Sequence, residues 1–290
     1  SARPVSSWQT ASPSELKEFA PLKGSNPYKA HLGARVEPYG VFWLNLIEER
    51  PDGMLVVENQ HDRGKSEIKK VRAALEPNLI YPAVAGGSLA RYGISEYFYV
   101  LIAQDPATRR GYDEEWMSEN LPLTYAYLAQ FKAPLTKRAA YQKYFFREVK
   151  KDGKVIRRIP TGPFYSMYNI SELTFEPYRV AWKRMAQNMS ATVLTKLATP
   201  FSRKEVISTD TTSFMVAASH DEAHYLCAVL NSDLVNEYIG SFSSAGRGFG
   251  APSVMQNLHV PHYDSSNVMH RKLVEFSDEA HRRGEGSKLI

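Results

Sequence analysis

The chain has 290 residues, of which 43% are hydrophobic and 23% are charged, and its formal net charge at pH 7 is +5. This composition is typical of a folded globular protein and excludes a disordered, collagen-like or low-complexity chain. The longest apolar run, residues 97–103, is far shorter than the roughly 18 residues of a membrane span. A single cysteine, Cys227, rules out an intrachain disulfide and a cysteine-cluster metal site, and it predicts a cytoplasmic protein.

The amino-terminal part is predicted to be a linker followed by strands. Residues 1–22 are polar and rich in Pro and Ser, which indicates a linker or the remnant of a tag on an excised fragment. Strand-like runs at residues 41–47 and 54–57 flank the turn Arg50-Pro51-Asp52-Gly53 and predict a hairpin. A further strand is predicted at residues 97–102, where aromatic and aliphatic residues are concentrated.

The middle of the chain is predicted to be helical and then to form a basic hairpin. From Asn120 onward, apolar residues recur at spacings of three and four as far as Leu135, which is typical of a helix. Pro134 is expected to kink or split that helix, because proline has no backbone N–H to donate. The segment Lys151-Asp152-Gly153-Lys154 is predicted to be a hairpin tip.

The last third of the chain is predicted to contain short strands and then helices. Strands are expected at residues 178–185, 204–208 and 213–217. Ser219 followed by Glu222 is the pattern of a capping box and predicts the start of a helix. Further features are a break at Asn231-Ser232, a Gly- and Ser-rich loop at residues 241–250, and a terminal helix near Asn267.

Cys227 is interpreted as a core residue rather than as a nucleophile. It belongs to an apolar stripe on the predicted helix with Ala223, Leu226, Leu230 and Leu234. A buried cysteine in such a stripe behaves as a small hydrophobic side chain.

Positive charge is concentrated in one window, residues 137–158. This window contains nine basic and two acidic residues and therefore carries +7, more than the whole chain. Aromatic residues are interleaved with it and follow it, as expected where phosphates meet Lys and Arg while bases or sugars meet rings. The alternative interpretation is a solvated helix end that continues into a basic hairpin.

Two histidines at a spacing of four, His220 and His224, superficially match the zinc-protease motif. That motif needs Glu directly after the first His as the general base, and Asp221 stands there instead. No metal site is therefore predicted at these residues. The chain also lacks the G-x-S-x-G motif of serine hydrolases, and Ser25-Asn26-Pro27-Tyr28 departs from the catalytic tetrapeptide of amino-methylating DNA methyltransferases.

Several segments, read in order, carry a resemblance to one family. They include Asn26-Pro27-Tyr28, Asn59, Tyr81-Pro82, Arg138 and Val229-Leu230-Asn231-Ser232. The complete set consists of residues 26–31, Gly33, residues 38–42, residues 47–57, Asn59, residues 75–84, residues 127–132, Leu135, Arg138, residues 164–167, residues 175–180, residues 225–232 and residues 258–261. Over residues 25–262 the chain resembles the carboxy-terminal target-recognition, or specificity, region of adenine-specific DNA methyltransferases of the TaqI-like and type IIG restriction-modification kind.

The resemblance implies a module that binds double-stranded DNA and sets sequence specificity, with no catalytic residue of its own. The parent protein is then expected to be a site-specific adenine methyltransferase. Its missing methyltransferase domain would bind S-adenosylmethionine, and no cofactor is expected in this chain. Such a module holds phosphates with Lys and Arg while a few polar side chains read base edges.

Ten basic residues are predicted to contact DNA. The first group is expected to track phosphates, and it consists of Lys143, Arg147, Lys150, Lys151, Arg157 and Arg158. The second group is Lys183, Arg184 and Arg203. Arg247, in the sequence Gly246-Arg247-Gly248, is a further candidate phosphate contact in a glycine-rich loop.

Two other function classes remain open at this point. A stand-alone magnesium nuclease would need clustered carboxylates, and Asp113, Glu114 and Glu115 are adjacent in sequence. Their position before a predicted helix favours a solvated charge run instead. A protein- or carbohydrate-interaction module would use exposed aromatic side chains and would bind a neutral partner without salt dependence.

The predicted fold class is α+β, with mixed small sheets and packed helices of the target-recognition type. The expected organisation is a linker or tag remnant at residues 1–22, a sheet-rich lobe at 23–110, a helix with a mixed recognition lobe at 111–266, and a carboxy-terminal helix at 267–290 that the end of the fragment could truncate.

Overall fold

The computed structural model describes residues 10–64, 67–243 and 248–284. Within these residues, helices and strands are both abundant, and the strands form several small sheets that are mostly antiparallel. The predicted α+β class is thus confirmed.

The helices of the described residues are mostly short. In chain order they are α1 (Pro13–Glu18), α2 (Tyr39–Phe42), α3 (Glu114–Asn120), α4 (Pro122–Ala129), α5 (Lys132–Thr136), α6 (Ala139–Tyr144), α7 (His220–Leu230), α8 (Asp233–Phe242), α9 (Pro252–Met255) and α10 (Val268–Arg283).

The strands of the described residues are between two and seven residues long. In chain order they are β1 (Ala30–Leu32), β2 (Trp43–Glu49), β3 (Leu55–Asn59), β4 (Arg72–Leu75), β5 (Ile80–Val84), β6 (Leu89–Ala90), β7 (Gly93–Ile94), β8 (Phe98–Leu101), β9 (Gln104–Asp105), β10 (Arg110–Gly111), β11 (Phe146–Lys151), β12 (Lys154–Pro160), β13 (Arg179–Lys183), β14 (Ala191–Leu194), β15 (Lys196–Ala198), β16 (Arg203–Glu205), β17 (Ile207–Ser208) and β18 (Thr212–Val216).

The larger sheet has six strands in the order β17-β5-β8-β2-β3-β4, all antiparallel except the β17–β5 pair. Its buried residues, such as Leu44 and Val100, share one core with Leu128 of α4 and Leu135 of α5. The hairpin predicted around Arg50-Pro51-Asp52-Gly53 is present as β2 and β3, and Gly53 has the positive φ of 81° that this turn requires.

One local prediction in this part is wrong, and a second is confirmed. Residues 41 and 42 were expected to lie in a strand but belong to α2, because Pro38 starts a helical turn in which the N–H of Trp43 bonds to the carbonyl of Tyr39. The prediction that Pro134 splits the helix is confirmed, with the interruption at Gln130 and Phe131. Since the proline ring clashes with the carbonyl four residues earlier, the break falls at Gln130.

The smaller sheet has the strand order β1-β18-β13-β14 and supports a second core with α7 and α8. As predicted, Ser219 caps α7 by accepting a hydrogen bond from the N–H of Glu222, and Ser232 caps α8 in the same way. Cys227 is fully buried in this core, and burial raises the pKa of its thiol to about 12. Its interpretation as a packing residue is confirmed, whereas Leu234 lies on α8 and is exposed.

Asn231 joins the end of α7 to the edge of the smaller sheet. Its side-chain oxygen accepts a hydrogen bond from the N–H of Ala191 on β14 at 2.8 Å, and its amide donates to the carbonyl of the same residue at 2.8 Å. The asparagine is only 3% exposed. The Asn231 side chain therefore bonds to the N–H and the carbonyl that β14, an edge strand, would offer to a further strand. This gives a physical reason for Asn in the Leu230-Asn231-Ser232 sequence.

We expect Asn231→Ala to lower the free energy of unfolding by about 2 kcal/mol, because the N–H of Ala191 would lose the acceptor that Asn231 provides. The carbonyl of Ala191 would lose one bond but would still accept from the N–H of Tyr92. Denaturant unfolding followed by circular dichroism measures this change. Asn236→Ala is the control and should cost less, since the side-chain oxygen of Asn236 accepts a bond from the N–H of Met189 in the loop before β14. Equal stability of Asn231→Ala and the parent protein would contradict this role.

The domain bounds predicted from the sequence stay a prediction. The first core takes buried residues from both sides of residue 110, including Ala103 and Met117. Among the described residues, none of the helices has the length and apolar character needed to cross a membrane.

Candidate nucleic-acid interface

The most prominent basic feature is the hairpin of β11 and β12. The tip predicted at Lys151-Asp152-Gly153-Lys154 is confirmed, with positive φ angles of 51° at Asp152 and 75° at Gly153. The two strands pair only with each other, and most of their residues are exposed. Seven strand residues span about 20 Å. This hairpin is therefore a two-stranded ribbon with both faces largely open to solvent.

The strand register sorts the side chains of the hairpin onto two faces. Residues directly opposite each other on paired strands point to the same side, and successive residues alternate. With the bulge opposite Val149 and Lys150 included, one face carries Arg147, Val149, Lys151, Lys154, Arg157 and Ile159. We call this the basic face, since it has four cations and no carboxylate. The other, mixed face carries Phe146, Glu148, Lys150, Val155, Arg158 and Pro160.

The mixed face holds the base of the hairpin against α6. The guanidinium of Arg158 donates to the side-chain oxygen of Gln142 at 2.9 Å and also to the Gln142 carbonyl. It also lies over the ring of Phe146, at 4.8 Å from the centroid. Lys150 is 3.6 Å from the carboxylate of Glu148. Arg158 thus holds the base of the hairpin against α6, while the cations of the basic face remain exposed.

A groove extends from the base of the hairpin across the body of the protein. Three adjoining cavities form it, with volumes of about 430, 600 and 540 Å³. The first two share Tyr168, and the last two share Tyr39, Arg63 and Gly64. Tyr144, the last residue of α6, lines the end nearest the hairpin.

Basic side chains line this central groove along its length. They are, in order from the hairpin, Arg109, Arg35, Arg138, Arg63 and Lys183. Aromatic rings accompany them: Arg35 lies 5.5 Å from the ring centroid of Tyr168, which in turn packs on Tyr144. The acidic groups in the same groove are Glu37 and Glu96, and Glu37 is paired with Arg35 at 2.9 Å. Cations beside exposed rings match the requirements of a phosphate backbone with stacked bases.

Arg138 forms part of the floor of the groove and has a structural role. It donates to the carbonyls of Leu135, Glu37, Phe164 and Ser166 at 2.8–3.0 Å. Burial lowers the pKa of its guanidinium to about 10, so it remains charged at neutral pH. These four bonds fix the start of α6, and with it the hairpin, relative to the groove.

The structure places the nine predicted site residues that it describes in three different locations. The first group is together: Lys143 is in the last turn of α6 with its ammonium group over the ring of Tyr144, and the other five residues lie on the hairpin. Lys183 lines the central groove, and Arg184 follows it directly at the end of β13. Arg203 is exposed on β16, which pairs with β15. Arg247 lies outside the described residues.

The carboxylates considered for a nuclease are engaged at the start of α3. Asp113 caps this helix by accepting bonds from the N–H groups of Glu115 and Trp116. Glu114 lies 3.6 Å from the ammonium group of Lys132 and accepts a hydrogen bond from the hydroxyl of Tyr125. These contacts give the acidic run a role in the fold.

Sequence reasoning missed the arginines of the groove. Arg35, Arg63 and Arg109 are separated by 28 and 46 residues, and each stands outside the basic window. Only the folded chain brings them to one surface, so no local charge pattern indicates them.

Comparison with protein-family models and with curated proteins finds no match to this chain.

Proposed function

We propose that this protein binds double-stranded DNA, with the hairpin in the major groove and the central groove along the adjacent phosphates. The observation that carries the proposal is the basic face of the hairpin, where four exposed cations stand without a carboxylate. A two-stranded ribbon fits the major groove, which is about 12 Å wide. The proposed contacts to the sugar-phosphate backbone are Lys143, Arg147, Lys151 and Arg157, together with the arginines that line the central groove, Arg35, Arg63 and Arg109.

The resemblance in sequence narrows this proposal to a target-recognition module of an adenine-specific DNA methyltransferase in a restriction-modification system. On this account the chain provides DNA affinity and sequence specificity. A separate methyltransferase domain binds S-adenosylmethionine, takes the adenine out of the base stack and methylates it. Contacts from such a module help to offset the unpairing free energy of a few kcal/mol. A cytoplasmic location fits the single, buried Cys227.

The test is binding of a fluorescent 30-base-pair duplex, measured by anisotropy between 50 and 300 mM salt. We expect affinity to fall steeply with salt, because each neutralised phosphate contributes about 0.9 to the slope of log affinity against log salt. Retention of a neutral oligosaccharide or protein without salt dependence, together with no DNA binding at 50 mM salt, would contradict the proposal and favour an interaction module. Cleavage of plasmid DNA by the purified chain with Mg²⁺ would favour the nuclease class.

Sequence specificity is tested by repeated selection from duplexes with a random central region. Enrichment of one short sequence containing adenine is the expected result for a target-recognition module. Tight binding with no enrichment would support DNA binding but would contradict the proposed role as a target-recognition module.

A further inference from the structure

A cluster of potential metal ligands lies at the junction of α7 and α10, at the edge of the second core. His220 and His224 are four residues apart on α7 and therefore share one side of the helix. Asp278 approaches them from α10. One ligand atom from each of the three side chains can be chosen such that all lie within 4.8 Å of one another, and Nε2 of His224 is 3.9 Å from Oδ1 of Asp278.

The surroundings orient two of these ligands. Nδ1 of the buried His224 is 3.1 Å from Oγ of Ser277, so a proton on Nδ1 leaves the lone pair of Nε2 facing Asp278. The other carboxylate oxygen of Asp278 accepts from Arg282, which leaves Oδ1 toward the histidines. Such outer hydrogen bonds are the usual means by which proteins fix the ring and the carboxylate of a metal site.

The neighbouring His281 is already committed to the fold. Its Nδ1 donates to the carbonyl of Ser277 at 2.7 Å, and its Nε2 accepts from the N–H of Val193 at 3.1 Å. Both ring nitrogens are therefore engaged, which excludes His281 as a fourth ligand. Within the described residues, His220, His224 and Asp278 are the group of three with this geometry.

We propose that His220, His224 and Asp278 bind a late first-row divalent cation, with Zn²⁺ as the best match. Two imidazole nitrogens and one carboxylate oxygen suit Zn²⁺, whereas Mg²⁺ and Ca²⁺ prefer oxygen ligands alone. Tetrahedral bonds of about 2.0 Å require donor atoms roughly 3.3 Å apart. Two side-chain adjustments bring the donor atoms to this spacing on metal binding: rotation of the imidazole of His220, whose side chain is 47% exposed, and a shift of the Asp278 carboxylate toward Nε2 of His224, now 3.9 Å away. A water molecule completes the four ligands.

The ion would link α7 to α10 rather than hydrolyse a substrate. Asp221, which follows the first histidine, makes its contact to Nδ1 of His220 at 3.4 Å, and the general base expected of the zinc-protease motif is not at this position. The absence of that base argues against hydrolysis, but it does not affect metal binding. The third ligand, 54 residues beyond His224, is visible only in the folded chain.

The experiment uses the complete 290-residue chain, freed of metal by dialysis and titrated with ZnCl₂ in competition with a chromogenic chelator. We expect one ion per chain and a rise in the thermal midpoint that saturates with it. His220→Gln and Asp278→Asn are the informative variants, because their side chains are more exposed than that of His224. Each is expected to weaken binding about tenfold or more and to remove the thermal shift. His262→Gln, an exposed histidine elsewhere, is the matched control and should bind as the parent does.

Zinc binding of unchanged strength in both site variants would overturn the proposal, as would a chain that takes up no Zn²⁺. Loss of binding in the control to the same extent as in the site variants would also overturn it. Because none of these residues belongs to the hairpin or to the central groove, DNA binding by the parent protein and this result are independent.

Discussion

Replacing three cations of the basic face, Arg147→Gln, Lys151→Gln and Arg157→Gln together, is expected to weaken duplex DNA binding by roughly two orders of magnitude at 50–100 mM salt. The reason is the loss of three phosphate contacts at once. The slope of log affinity against log salt should fall in magnitude by about 3. Fluorescence anisotropy over the salt series measures both quantities. Stability should hardly change, because all three side chains are exposed.

The matched control removes the same charge from other surfaces. Lys17→Gln, Lys196→Gln and Lys272→Gln together also lower the net charge by three, and these side chains are likewise exposed. If the effect were one of total charge alone, both triple variants would weaken binding equally. That result would contradict the assignment of the hairpin as the principal contact.

Arg138→Met is expected to lower the free energy of unfolding by about 4 kcal/mol. The carbonyls of Glu37, Phe164 and Ser166 would lose the guanidinium as a donor, and buried polar groups without partners are costly. The carbonyl of Leu135 would lose one bond but would still accept from the backbone N–H of residue 138. Denaturant unfolding measures the loss. DNA affinity should also fall, because these bonds position α6 and the hairpin beside the groove.

Lys137→Met is the control for Arg138, since this exposed neighbour lies one residue earlier in the same turn. It should change the free energy of unfolding by no more than about 0.5 kcal/mol. If Arg138→Met lowered the free energy of unfolding as little as the control does, the carbonyls would be satisfied without the guanidinium. That result would contradict the positioning role proposed for Arg138.

Local signals in the sequence were sufficient for several parts of the fold. The Asp152-Gly153 pair predicted the hairpin tip because both residues tolerate positive φ. Ser219 predicted the start of α7, since a serine hydroxyl caps free N–H groups within three residues. The burial of Cys227 followed from helical periodicity.

Features that depend on distant parts of the chain were not predictable in this way. The carboxylate of Glu76 caps α4 by accepting from the N–H of Leu123 and of Thr124, across 47 and 48 residues. The grouping of Arg35, Arg63 and Arg109 in the central groove and the approach of Asp278 to His224 likewise depend on contacts between residues far apart in sequence. In each case the partners have no shared pattern in sequence, because tertiary packing alone brings them together.

Crosslinking from the hairpin tip tests the DNA-binding account most directly. Cys227 is the single cysteine, and it is buried with a thiol pKa raised to about 12, so Lys151→Cys supplies the one reactive thiol for a photoactivatable probe. With bound duplex DNA we expect efficient crosslinking from Lys151→Cys and little from Lys272→Cys on α10. Equal crosslinking from the two positions, or none from the hairpin while DNA is bound, would contradict a hairpin that enters the major groove.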